Sequence, residues 1–277
     1  MSHIYVTGAR GNIGSMLLQY MPHATPVYGN ILTEPLLEDA FEPHSILVHL
    51  AGKSNIQESY TKELEYHKVN VAGLERIARM CLQKNIKMIF PSSIHIYGSS
   101  PPPLTERALL HAYSPYGETK IRGEHILHQW GREGLKYVIL RPGGIFGYSP
   151  GMHFDTTVNK FTFQAFQNVP LSIWKEALHK RRGHLYVGDA VRAIAFFIEH
   201  DIFTNDAYNV ITGNFTTNEI MQAIREYIPH VQTTYRTSIA ANTHLEISDE
   251  KIRNLGFVPT GTLKQGIGEV MRHLQAL

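Results

Sequence analysis

The stretch Ile4-Tyr5-Val6-Thr7-Gly8-Ala9-Arg10-Gly11-Asn12-Ile13-Gly14 decides the fold. Its first three residues read as a buried strand and Ile13 to Tyr20 as an apolar helix, so the glycines form a turn from strand to helix. Gly8 allows a tight exit from the strand, Gly11 lets backbone approach a pyrophosphate, and Gly14 lets helix and sheet pack closely. The helix N-terminus adds free N–H groups and a partial positive charge for phosphates. Placement gives the motif its weight, because the same glycines elsewhere would be a structural turn.

Outward from this turn, Ile46 to Leu50, Lys87 to Phe90 and Tyr137 to Leu140 read as further buried strands, with helical spacing over Leu64 to Leu82 and Tyr113 to Trp130. Strands joined by crossover helices pack as a parallel sheet, so the expected class is α/β, a Rossmann-type doubly wound sheet. After Gly147 the pattern loosens: a loop at Tyr148 to Gly151, helical spacing over Val158 to Gln167, a strand-like Pro170 to Trp174 and a basic run Lys180-Arg181-Arg182. Gly183 to Val187, Asp189 to Glu199 and Ala207 to Ile211 read as a return to the sheet. The expected division is a dinucleotide-binding domain over 1–150 and 182–211, with a smaller substrate-binding lobe over 151–181 and 212–277.

Composition excludes several classes. A chain of 277 residues, 43% hydrophobic and 18% charged, can bury a large core without metals or disulfides. A net charge of +2 gives no electrostatic reason to expect nucleic acid or an anionic membrane. Cys81 is the only cysteine, which forbids an intrachain disulfide and a four-cysteine zinc site and fits a reducing cytoplasm. No leader pattern opens the sequence, and no window approaches a membrane span. The sixteen histidines are scattered; His125 and His128 lie three apart without a third ligand, so no metal site is expected.

The chemistry centres on Tyr116-Gly117-Glu118-Thr119-Lys120. A free phenol near pKa 10 is a poor base at neutral pH and needs a nearby cation to hold its phenolate. Four residues apart on one helix, Tyr116 and Lys120 share a face. Tyr116 can then exchange a hydroxyl proton while hydride passes between a carbinol carbon and a nicotinamide. Ser93, just past the strand Lys87 to Phe90, lies on the same sheet edge, where its hydroxyl could hold the substrate oxygen.

Six motifs in order carry a family resemblance: the glycine turn, His49-Leu50-Ala51-Gly52, Asn70-Val71-Ala72-Gly73, Ser92 to Gly98, the Tyr116/Lys120 pentapeptide and Arg141 to Gly147. The chain resembles the extended short-chain dehydrogenase/reductase family, the NAD(P)-dependent epimerases and dehydratases. Arg182 to Asp189 and Asn254 to Pro259 are weakly similar to later family segments. The resemblance implies a catalytic triad of Ser93, Tyr116 and Lys120. It implies dinucleotide contacts at Gly8, Arg10, Gly11, Asn12, Ile13, Gly14, Leu50, Ala51, Gly52, Asn70, Pro142 and Gly143, with Tyr116 and Lys120. It also implies a homodimer paired through the helices at Leu64 to Leu82 and Tyr113 to Trp130.

Departures from the family pattern limit the substrate. Ile94 and His95 occupy the two positions where dehydratases carry Asp-Glu, which disfavours dehydration. His95 is either a second acid/base group or a structural histidine. Gly144 stands where nucleotide-sugar enzymes commonly have an asparagine on the substrate diphosphate. Arg182 matches the arginine that clamps this diphosphate in many relatives, or is a solvated member of its basic run. The acidic residue expected at the end of the second strand, near Thr25 to Ile31, is missing, while Arg10 could accept a 2′-phosphate or simply be exposed. The cofactor is therefore NAD or NADP.

The leading expectation is an oxidoreductase or epimerase acting by hydride transfer on a carbinol or keto group of a nucleotide sugar. An NADPH-dependent reductase of a small non-nucleotide ketone or aldehyde, favoured by Gly144, and a nucleotide-sensing binding protein are the alternatives.

Overall fold

A computed structural model describes residues 2–32, 41–98, 100–237 and 245–277. Its centre is a six-stranded parallel sheet of β1 (Ile4–Thr7), β2 (Thr25–Val27), β3 (Ile46–His49), β4 (Lys87–Pro91), β5 (Tyr137–Pro142) and β9 (Ala207–Val210). The spatial order is β2-β1-β3-β4-β5-β9. Every residue of β1, β3 and β9 is buried. That is the burial of a sheet covered on both faces, and it explains why these strands read as apolar runs rather than alternating ones.

The chain reverses direction across the sheet between β1 and β3, which makes the crevice at their carboxyl ends the place where such folds bind ligands. Helix α1 (Asn12–Tyr20) and α7 (Val187–Glu199) pack together on one face, burying Leu17, Ala190 and Ile194 against Val6, Val48 and Ile89. On the other face α4 (Gly73–Gln83) and α5 (Pro115–Arg132) bury Leu74, Ile77 and Leu127 against Leu47, Met88 and Ile139.

Two expectations change. The single helix foreseen over Leu64 to Leu82 is α3 (Glu63–His67), a π-helical turn over Lys68–Ala72, then α4. Asn70 is buried within the π turn. The strand foreseen near Gly183 does not enter the central sheet. β8 (Arg182–Tyr186) lies between β6 (Gly144–Phe146) and β10 (Gly213–Phe215) in a separate three-stranded sheet, and only β9 returns to the centre. A pair of parallel strands, β7 (Leu171–Trp174) and β11 (Thr233–Arg236), is a third small sheet. Among the described residues, no helix is long and apolar enough to cross a membrane.

Candidate active site

The turn after β1 is as tight as the sequence suggests. Gly8 has φ +66°, and a Cβ there would lie 2.5 Å from the Leu50 carbonyl carbon; at Gly14 a Cβ would lie 2.3 Å from the Gly8 carbonyl oxygen. Both obstacles are backbone, so neither can swing away. Gly11 caps α1 in an extended conformation without a side-chain cap, and the first turn carries no acidic residue. The leading N–H groups of α1 are therefore free to face an anion.

The loop foreseen at Tyr148 to Gly151, after β6, closes over this turn. Ser149 donates to Asn12 Oδ1 at 2.8 Å, and the Gly151 N–H donates to Ser15 Oγ at 2.9 Å. A Cβ at Gly151 would stand 2.3 Å from the Arg10 carbonyl oxygen. Asn12 Nδ2 is buried with no protein acceptor. An unspent donor beside bare helix N–H groups fits a phosphate oxygen, so the residues present suit a dinucleotide.

At the end of β3, the amides of Leu50 and Ala51 donate to the Thr7 carbonyl and hydroxyl, and Thr7 Oγ1 also bonds His49 Nδ1 at 2.9 Å. Burial, reinforced by the Lys120 charge, holds His49 down to about 3, so its ring stays neutral. Asn70 acts at one remove. Its amide accepts from the Lys53 N–H at 2.8 Å, donates to the Lys53 carbonyl at 2.9 Å and reaches Thr119 Oγ1 at 3.0 Å. It clamps the loop carrying Gly52. Arg10 is exposed and lies 4.9 Å from the centre of the Tyr28 ring, past the end of β2. Pro142 ends β5, and the Gly143 N–H donates to Val210.

The three residues of the foreseen triad converge. Ser114 caps α5 by accepting from the Gly117 N–H, and Pro115 opens the helix where its missing N–H costs nothing. This puts Tyr116 in the first turn and Lys120 one turn on. A Cβ at Gly117 would lie 3.2 Å from the His95 carbonyl oxygen, so glycine there lets α5 approach the segment after β4. That segment presents Ser93, which is buried like Tyr116.

Burial pushes the Tyr116 phenol above its ordinary range, and a hydrogen bond with the Ser93 side chain opposes the rise. Lys120 was expected to do that lowering. Its Nζ instead donates to the Pro91 carbonyl at 2.8 Å and lies 6.0 Å from the Tyr116 ring centre. Burial brings Lys120 down to about 8, against a smaller upward pull from Glu124.

Next to the triad opens a cavity of about 1020 Å³, lined among others by His95, Ser114, Gly144, Lys160, Arg182 and His184. Both foreseen substrate residues outside the triad, His95 and Arg182, therefore face one space. Burial holds His95 and His184 at about 4 each, with the Arg182 charge adding to it, and burial also lowers Arg182. His184 had gone unnoticed in the sequence; the spacing Arg182-x-His184, which places both on one strand face, was the available signal. His128 is bonded to the Tyr137 hydroxyl at 2.7 Å.

A family model for the NAD dependent epimerase/dehydratase family matches residues 4–210. The chain belongs to this family. A UDP-glucose 4-epimerase of Halalkalibacterium halodurans is 27% identical over 270 residues, covering 82% of this chain and 80% of the relative. Among solved structures, a UDP-glucose 4-epimerase of Thermotoga maritima with UDP-glucose has a TM-score of 0.88 at 22% identity, covering 99% of both chains. MoeE5 in complex with UDP-glucuronic acid and NAD has a TM-score of 0.87 at 22% identity, covering 100% of both. These likenesses show the fold.

Proposed function

We propose that the chain is an NAD(P)-dependent oxidoreductase or epimerase that moves hydride to and from a carbinol carbon of a sugar carried on a nucleoside diphosphate. The supporting observation is the meeting of Ser93, Tyr116 and Lys120 at the carboxyl end of β4, beside a cavity whose size suits a sugar nucleotide. Family membership and a UDP-glucose 4-epimerase relative support the same reading. Residues 1–150 and 182–211 hold the dinucleotide and 151–181 with 212–277 the substrate in this reading.

The glycine turn, the N–H groups of α1 and Asn12 Nδ2 hold the pyrophosphate. When bound, the nicotinamide supplies the hydride acceptor and donor. Ser93 orients the substrate oxygen by hydrogen bonding, and Tyr116 takes its proton. Lys120 keeps positive charge within reach of the phenolate that accepts the proton, and the step leaves Tyr116 a neutral phenol. Arg182, with its planar fork, binds the diphosphate. His95 stands where dehydratases carry an acid, which disfavours water elimination. Gly144 favours the second reading, a reductase of a small ketone, because it removes a side-chain contact to the diphosphate. The intact triad speaks against a pure nucleotide sensor. Arg10 beside Tyr28 offers a place for a 2′-phosphate, so NADP stands alongside NAD. We further infer a cytoplasmic homodimer.

The test is Tyr116→Phe in protein loaded with NAD or NADP, assayed for interconversion of UDP-glucose and UDP-galactose. We expect turnover to fall by about 10² to 10⁴ with dinucleotide affinity retained. Wild-type rates in the variant would overturn the triad.

A further inference from the structure

The proton relay uses none of the three imidazoles that line the cavity; His153 lies 3.6 Å from Asp155, which leaves His95 and His184. His95 is tied to the reacting end of the site, because its backbone N–H donates to Ser93 Oγ at 3.2 Å. His184 is tied to the other end, because its Nδ1 donates at 2.8 Å to the carbonyl of Arg182. The two rings and the Arg182 guanidinium are close enough to bias one another's charge. A line of polar groups thus runs from Ser93 through His95 and His184 to Arg182.

The sheet around His184 sets its buried ring at the cavity wall between two glycines. Its register partners are Gly144 on β6 and Gly213 on β10, so no side chain stands directly opposite it, while Phe215 of β10 packs against the imidazole with ring centres 6.0 Å apart. A Cβ at position 144 would already lie 3.6 Å from His184 Cδ2, the carbon next to Nε2. Gly144, read from sequence as a lost contact, is here the space beside a histidine.

The tautomer follows from the same bond. A carbonyl can only accept, so Nδ1 carries the hydrogen, and a neutral ring then has a bare Nε2. His95 makes no side-chain hydrogen bond to any described residue, and its ring lines the cavity.

We propose that His95 and His184 read the hydroxyls of the sugar ring: they hydrogen-bond it between Ser93 and the diphosphate on Arg182, His184 as an acceptor through Nε2. This rests on the nucleotide-sugar reading above. It names, in addition, the residues that tell the sugar from the bare nucleotide.

The experiment compares UDP and UDP-glucose binding to NAD-loaded wild type, His184→Phe and His184→Gln by calorimetry, with ring ¹⁵N NMR on the wild type. Phenylalanine keeps the bulk and removes the acceptor; the glutamine amide restores one. Affinity for UDP-glucose should fall about 10-fold or more in His184→Phe while that for UDP changes by less than about twofold, with partial recovery in His184→Gln. At pH 7 the His184 Nε2 resonance should be that of an unprotonated nitrogen and should move with UDP-glucose but not with UDP. Equal losses for both ligands, an unchanged UDP-glucose affinity, or an Nε2 signal indifferent to the sugar would overturn the proposal alone. A wild type that binds neither ligand would instead overturn the nucleotide-sugar reading, and the proposal with it. Should His184→Phe fail to fold, the NMR arm on the wild type still decides.

Discussion

Lys120 lives under two opposed demands: in the proposed mechanism its charge serves Tyr116, yet its surroundings are apolar. The centre of the Phe90 ring lies 4.7 Å from its Nζ, and burial brings its pKa from 10.5 to about 8. A group depressed in the folded state loses its proton at lower pH there than in the unfolded chain. Between about pH 8 and 10.5 the unfolded chain binds more protons, so this group's contribution makes stability rise with pH across that window. Activity should move the other way. We expect kcat/KM to decline above about pH 8 as the ammonium is lost, and Lys120→Arg, charged throughout, to remove that limb from the pH–rate profile. A profile unchanged by the substitution would disconnect Lys120 from the reaction. The types and spacing of Tyr116 and Lys120 were legible in the sequence. That burial and Ser93, rather than Lys120, set the phenol was not, because it depends on where Pro91 points its carbonyl.

The π-helical turn between α3 and α4 shows what a helix pattern hides. Residues Leu64 to Leu82 carry helical periodicity, but the turn at Lys68–Ala72 takes five residues and turns Asn70 inward. From there Asn70 holds both backbone groups of Lys53 and reaches α5 through Thr119, whose hydroxyl donates to the Tyr116 carbonyl. One side chain thus couples the loop carrying Gly52 to the helix carrying Tyr116. Asn70→Ala should cost about 1–3 kcal/mol, since it strands partly buried backbone groups of Lys53, and should weaken dinucleotide binding; urea unfolding and NAD titration measure the two effects. A variant unchanged in both would make the clamp dispensable. Strands were easier to foresee than this helix: their apolar runs follow from burial on both faces, whereas a π turn depends on contacts from distant segments.

The whole molecule exposes apolar groups on the helices through which we infer dimerisation: Leu64 is 81% exposed and Tyr113, just ahead of α5, is 55% exposed. Sedimentation should give about twice the chain mass, and Leu64→Glu should shift the protein toward monomer without lowering its melting temperature much, because an exposed residue contributes little to the fold. A monomeric wild type would refute the dimer. At this scale the amino-acid sequence by itself determined the parallel α/β sheet, the glycine turn ahead of α1 and the order of Ser93, Tyr116 and Lys120. These follow from local periodicity and from motifs a few residues long. Tertiary structure alone decided that β8 leaves the central sheet, that the Ser149 loop covers the glycine turn and that His184 meets His95 across the cavity. Each joins residues tens to more than a hundred positions apart, and such proximity is set by how packed layers cross, which no local pattern encodes.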